Sequence, residues 1–377
     1  MAACAPSFRN EKTGKTLAAI DSLLVHLKEN DGSDLHLVAG QPPRFRAKGA
    51  IQFIEGQAAL TNDSLRAMME EVASRRTWEE YETTGDLDFA FSLDGVARFR
   101  ANYFIQESGA ACVFRIIPEE ILSLETLNLP KSVCDLADLN EGLVLVTGPT
   151  GSGKSTTLAA IIDKINKTYS KHIVTIEDPV EFVHQNRNAL FSHREVGLHT
   201  QGFGPALKSA IRQDADVILV GEMREMETIS LAITAAEMGM LVFGTLHTNN
   251  AAKTIDRIID AFPADEQNMV RLSLSESLAG IVSQLLLPRA DTGGRIAANE
   301  ILLKSSGLPN IIRDGNTPML SQIIQAGKSQ GMQGMDDVLF AYAKEGKISA
   351  QDAYMKATEK GRFEPLLQTA DGAPPAD

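Results

Sequence analysis

The stretch Leu143-Val144-Leu145-Val146-Thr147-Gly148-Pro149-Thr150-Gly151-Ser152-Gly153-Lys154-Ser155-Thr156 constrains the fold more than any other part of the chain. Its apolar and β-branched start reads as a buried strand, which breaks into a glycine-rich turn opening into the helical pattern Thr156 to Asn166. That is a P-loop in its strand-before, helix-after context. Gly148, Gly151 and Gly153 allow backbone angles and close approaches that a Cβ would block, so successive N–H groups can point inward at phosphate oxygens. The candidate cradle is therefore Gly148, Pro149, Thr150, Gly151, Ser152, Gly153, Lys154, Ser155 and Thr156. Lys154 reaches the β- and γ-phosphates, Ser155 offers a hydroxyl to Mg²⁺, and the helix adds its positive N-terminal end.

From Gly142 onward strands alternate with helices. The strands are Leu143 to Thr147, His172 to Ile176, Val217 to Val220 and Leu241 to Leu246; the helices are Thr156 to Asn166, Pro205 to Arg212 and Glu225 to Met238. The alternation implies an α/β fold with a parallel sheet covered on both faces, whose ligands sit beyond the carboxyl ends of the strands. After about Leu302 helices take over: Pro309 to Arg313, Met319 to Ala326, Met335 to Glu345 and Ala350 to Glu359.

Ahead of the P-loop, a helical pattern from Leu17 to Leu27 is followed by short segments at Leu35 to Val38, Arg44 to Ala47 and Ile51 to Phe53. Helices are expected around Asn62 to Ala73 and Thr77 to Thr83. The clearest strands are Asp86 to Leu93, Arg98 to Gln106 and Ala110 to Ile117, joined by turns at Asp94-Gly95 and Ser108-Gly109. The expected organisation is a disordered arm over 1–14, an α+β domain on a mostly antiparallel sheet over 15–117, a linker over 118–140, the ATPase-type domain over 141–302, a helical part over 303–361 and a disordered tail over 362–377.

At 377 residues the chain is too long for one ordinary domain, and 44% hydrophobic residues suffice for two buried cores. No stretch of about 18 apolar residues occurs, so no bilayer-spanning helix is expected. Met1 to Lys15 is polar and lacks the apolar segment of a secretory signal. Cys4, Cys112 and Cys134 are few and scattered, which fits a reducing cytosol. The net charge of −13 disfavours a nucleic-acid translocase, which needs a basic track.

Further chemistry gathers at the predicted strand ends. Val217-Ile218-Leu219-Val220 ends in Gly221-Glu222-Met223-Arg224, a Walker B arrangement with Glu222 in place of the usual Asp, opposite the P-loop and facing Mg²⁺. Ile173-Val174-Thr175-Ile176 runs into Glu177-Asp178-Pro179-Val180-Glu181-Phe182, where three carboxylates in five residues supply a candidate to polarise water without showing which one does so. Leu241 to Leu246 ends in His247-Thr248-Asn249-Asn250, a polar cluster placed to sense a γ-phosphate. Arg98, Arg100 and Arg115 lie on strands of the other domain; they are ordinary on a solvated face, or they reach a phosphate across a domain or subunit boundary.

These motifs, in this order, resemble the secretion-type hexameric ATPases, and among them the pilus-retraction branch. The resemblance spans roughly Leu17 to Ala353 and includes Gly32-Ser33-Asp34-Leu35-His36-Leu37, Arg98-Phe99-Arg100, Val113-Phe114-Arg115, the P-loop, Ile176 to Phe182, Val220 to Arg224 and Gly244-Thr245-Leu246-His247-Thr248. It implies an N-terminal PAS-like domain, a RecA-like P-loop domain, a homohexamer, and ATP with Mg²⁺ as the bound pair. It also implies that Glu181 is the catalytic carboxylate, that Glu222 works on Mg²⁺, that His247 belongs to the His box, and that Arg100 and Arg115 approach the γ-phosphate. The implied place is cytoplasmic, at the inner membrane through a pilus platform protein of the PilC type, with a paralogous retraction ATPase as a possible second partner. The chain departs from the branch at Gly307-Leu308-Pro309, which stands where retraction motors carry Ala-Ile-Arg; this resembles the accessory retraction ATPases. No four-cysteine zinc segment is present, unlike the type II secretion and pilus-extension branches.

Overall fold

The computed structural model describes residues 19–118 and 120–370. The expected arm over 1–14 and the residues from 371 onward lie outside that range. The chain divides into two units, one made of residues up to 120 together with Pro179–Val183, the other of residues 121–178 and 184 onward.

In the first unit, α1 (Ala19–Glu29), β1 (Gly32–Val38), β2 (Arg44–Ala47), β3 (Ala50–Phe53), α2 (Asn62–Val72), α3 (Arg75–Thr84), β4 (Asp86–Leu93), β5 (Ala97–Gln106) and β6 (Gly109–Ile117) follow one another. The six strands pair in the order β3-β2-β1-β6-β5-β4, each antiparallel to its neighbours. Period-two alternation explains the packing: Phe99, Ala101 and Tyr103 of β5 are buried with Leu24, Leu65 and Tyr81 of the helices, while Arg98 and Arg100 point to the opposite face. Ser74 caps α3 by accepting from Thr77 N, and Gly85 ends that helix in the left-handed region at φ 79°.

The second unit carries α4 (Lys131–Cys134), β7 (Gly142–Thr147), α5 (Lys154–Thr168), β8 (His172–Glu177), β9 (Leu190–Glu195), α6 (Phe203–Ala210), β10 (Val217–Val220), α7 (Met226–Glu237) and β11 (Leu241–Leu246). It continues through α8 (Ala251–Ile259), α9 (Gln267–Ser277), β12 (Leu278–Pro288), β13 (Arg295–Leu303), α10 (Leu308–Arg313), α11 (Leu320–Ala326), α12 (Met335–Lys344), α13 (Ala350–Lys356) and α14 (Glu364–Ala370). The sheet order is β13-β12-β7-β11-β10-β8-β9, parallel except for the β12–β13 hairpin.

Both faces of this sheet are buried, which is why its central strands read as unbroken apolar runs. Leu143 and Leu145 of β7 pack with α6, α7 and α8, whereas Val144 and Val146 pack with α5. Each such side chain contributes about 1.5–3 kcal/mol on burial.

The structure differs from the sequence reading in three places. Of the expected linker over 118–140, residues 121–140 belong to the second unit, where Leu124, Val133 and Leu136 are buried against β7 and α5. Strands β9, β12 and β13 and helices α8 and α9 were not foreseen. The expected disordered tail from 362 instead begins with a docked segment: Phe363 is fully buried among Leu287, Leu339 and Ala353, its ring set edge-on to Phe340, and α14 follows. One aromatic anchor offsets the ordering entropy that the tail's composition alone does not.

Candidate nucleotide site

The parallel registers bring the strand ends together. Leu246 of β11 lies beside Thr147 of β7, and Gly244 of β11 beside Val220 of β10, so the P-loop, Glu222 and His247 all follow the carboxyl ends of neighbouring or near-neighbouring strands.

The loop has the shape an anion needs. Gly148, Gly151 and Gly153 have φ of 143°, 78° and 87°, the region in which a side chain is strained. Gly153, which precedes α5, offers no side chain to cap the helix. Lys154 is buried, and its Nζ donates to Gly148 O at 2.8 Å and Pro149 O at 3.2 Å. Ser152 Oγ is buried with no hydrogen-bond partner, and a Cβ on Gly148 would come within 2.7 Å of it. Ser155 is exposed and Thr156 partly so.

Glu222 is half-buried directly after β10. Arg224 Nε donates to its Oε1, and His247 Nε2 stands 3.0 Å from the same oxygen. The hydrogen bond and charge of Glu222 hold the Arg224 guanidinium above its ordinary range. Gly221 N donates to Ile176 O at 2.8 Å, tying the end of β10 to β8. Thr245 Oγ1 donates to Gly221 O at 2.5 Å, and Met223 N donates to Thr245 O at 3.0 Å, so the Gly221–Arg224 turn is locked to β11. A Cβ on Gly244 would meet Met223 Sδ at 2.3 Å, which explains glycine there.

Glu177 ends β8, and Asp178 closes that part of the second unit, whereas Glu181 belongs to the Pro179–Val183 segment grouped with the first. There Val180 O accepts from Arg98 Nε at 3.3 Å and Nη2 at 3.1 Å. Arg100 and Arg115 stand opposite each other in the β5–β6 register, each engaged by a carboxylate: Arg100 Nε donates to Asp88 Oδ1 at 3.0 Å, and Arg115 Nε to Asp34 Oδ1 at 2.7 Å. Burial works to raise the Asp34 carboxyl, but hydrogen bonds from Ser33 and Arg115 and the nearby charges of Arg115 and His36 outweigh it, leaving Asp34 below the usual carboxylate range.

Sequence reasoning missed Ser283 and Gln284 of β12. Thr147 Oγ1 and Ser283 Oγ are 2.9 Å apart, and the Gln284 amide touches the loop at Ser152 through its nitrogen and α5 at Thr157 through its oxygen. Neither residue sits in a motif, and both lie more than 120 positions from their partners.

A family model described as type II/IV secretion system protein matches residues 10–336. The chain is 48% identical over 338 residues to the type IV pilus retraction ATPase PilT of Pseudomonas aeruginosa, covering 90% of this chain and 98% of that one. It is 38% identical over 337 residues to the type IV pilus ATPase PilU of the same organism, covering 89% and 88%. Among solved structures, the pilus retraction motor PilT with bound ADP superposes with a TM-score of 0.85 at 42% identity, covering 92% of this chain and 99% of that one.

Proposed function

The chain belongs to the type II/IV secretion system protein family, and from that premise we propose that it is a MgATP-hydrolysing motor that powers retraction of type IV pili. The observation that carries the reading is the P-loop between β7 and α5, with Lys154 buried on its carbonyls and Glu222 after the end of β10, in a chain alike in sequence to PilT over nearly the whole length of both. The residues present fit a nucleotide with its magnesium: an uncapped helix N-terminus, a loop whose glycines leave room for phosphate, and an unmated buried Ser152 hydroxyl. Mg²⁺, when bound, neutralises charge on the transferring phosphoryl group, and Ser155 and Glu222 are the side chains that would hold it.

The step is in-line attack of water on the γ-phosphate, helped by positioning and charge neutralisation rather than by covalent catalysis. In this assignment Glu181 orients and polarises the water, Lys154 neutralises phosphate charge, and His247 fixes Glu222. Arg100 and Arg115 exchange Asp88 and Asp34 for the γ-phosphate. The working form is a homohexamer, cytoplasmic and held at the inner membrane by a PilC-like platform protein, with a paralogous retraction ATPase as a further partner. Among the described residues no helix is long and apolar enough to cross a membrane.

Deleting the gene tests the motor reading: cells that extend pili but no longer shorten them support it, and normal shortening rejects it. A second reading, an accessory retraction ATPase, is favoured by one feature. Pro309 occupies the first turn of α10, within the Gly307-Leu308-Pro309 stretch that replaces Ala-Ile-Arg. Strong ATP turnover by the purified chain alone supports the principal motor.

A further inference from the structure

Gln284 is 2% exposed, on the strand that flanks the P-loop strand on the side away from β11. Its side-chain Nε2 donates to Ser152 O at 2.6 Å, and its Oε1 accepts from Thr157 Oγ1 at 2.9 Å. The amide has one possible orientation, because a carbonyl can only accept: the nitrogen must face Ser152, which leaves the oxygen for the Thr157 hydroxyl. One side chain thus joins the loop to the first turn of α5.

Two of the loop's glycines also answer to this residue. A Cβ on Gly148 would come within 2.2 Å of Gln284 O, and one on Gly153 within 2.9 Å of Gln284 Nε2. Neither backbone oxygen nor a doubly bonded buried amide can yield, so the spacing of these glycines is set by β12 as well as by phosphate. Beside it, Thr147 and Ser283 fix the strand from which the loop departs.

We propose that Gln284 is a positioning residue for the nucleotide: through Ser152 and Thr157 it holds the loop in its anion-receiving shape before ATP arrives. This rests on the nucleotide-site reading above. A loop already in place loses less conformational freedom on binding, so the contribution falls on affinity rather than on the chemical step. Gln284 itself touches no phosphate.

The test measures dissociation constants for ADP and a non-hydrolysable ATP analogue by calorimetry, steady-state hydrolysis, and the melting temperature of the nucleotide-free full chain. Gln284→Leu removes both hydrogen bonds at similar volume; Thr157→Val removes one of them with little change of shape and serves where the first variant does not fold. We expect each to raise the dissociation constants and KM about tenfold, with kcat changed less than about twofold, and the double variant to be no worse than the more affected single one. Thr157→Ser should restore the affinity that Thr157→Val loses. Folded variants with parental affinity, or with kcat lost at unchanged KM, overturn the proposal and leave the nucleotide site standing. A parent chain that binds neither nucleotide overturns both.

Discussion

His247 Nε2 lies 3.0 Å from Glu222 Oε1, although the two residues follow different strands and are separated by the whole of α7 and β11. Arg224 bonds the same oxygen from two residues away. The strand-end carboxylate is therefore aimed by its neighbours, as metal-site carboxylates commonly are. We expect His247→Ala to keep ATP affinity within about twofold while lowering turnover about ten- to a hundredfold, since the aim of Glu222 matters most when charge develops in the transition state. Calorimetry with the ATP analogue and steady-state hydrolysis check this; a loss confined to binding would contradict it.

Glu181 and Lys154 should separate cleanly. Glu181→Ala leaves the phosphate loop untouched, so nucleotide binding persists while hydrolysis drops by at least about a hundredfold. If Lys154 neutralises phosphate as proposed, Lys154→Ala removes a charge-assisted contact, and the ATP dissociation constant should rise about tenfold or more. Near-normal turnover by the first variant, or parental affinity in the second, would reject the corresponding role.

Phe363 anchors the segment that composition alone reads as a loose tail. It is fully buried, with Leu339, Ala353 and Leu287 around it. Phe363→Ala should cost about 3–5 kcal/mol, the usual cost for a buried phenylalanine. Denaturant unfolding followed in the C-terminal helices reads this directly, and a loss under about 1 kcal/mol would mean that the anchor is not docked in solution.

His184 gives the second unit a pH dependence. Burial, and then the neighbouring His193, lower its pKa to about 4. Its ring stacks on Phe191 at a centroid distance of 4.9 Å. The folded chain keeps this ring neutral while the unfolded chain takes up a proton, so the unfolded state binds more protons between pH 6.5 and 4. Its contribution is whole above about pH 6.5 and declines by up to about 3 kcal/mol as the pH falls to 4. His184→Phe, which keeps the stacking, should flatten this decline. Equal pH slopes for the variant and the parent over that window would remove His184 as its cause.

Local pattern made much of this molecule readable. The run Leu143 to Thr147, the glycines after it and the helix beyond specify a phosphate loop because each requirement falls within a few residues of the next. Alternation along Asp86 to Ile117 showed the antiparallel sheet of the first unit, because successive residues fall by turns on its two faces. The acids and histidine at the ends of β8, β10 and β11 were visible for the same reason, each following an unbroken apolar strand.

Other features depended on residues far apart in the chain. Leu278 to Pro288 is apolar enough for either a helix or a strand, and its pairing with β7 and β13 decides the matter. Glu222 meets His247, Gln284 meets Ser152, and Phe363 meets Leu287 only after the sheet has formed, since no local period records a contact across dozens of residues. The sequence by itself settled which chemistry the chain carries, because backbone geometry and side-chain type are local properties. Tertiary structure alone decided how that chemistry is aimed and braced, because those forces act between elements that burial, not sequence order, brings together.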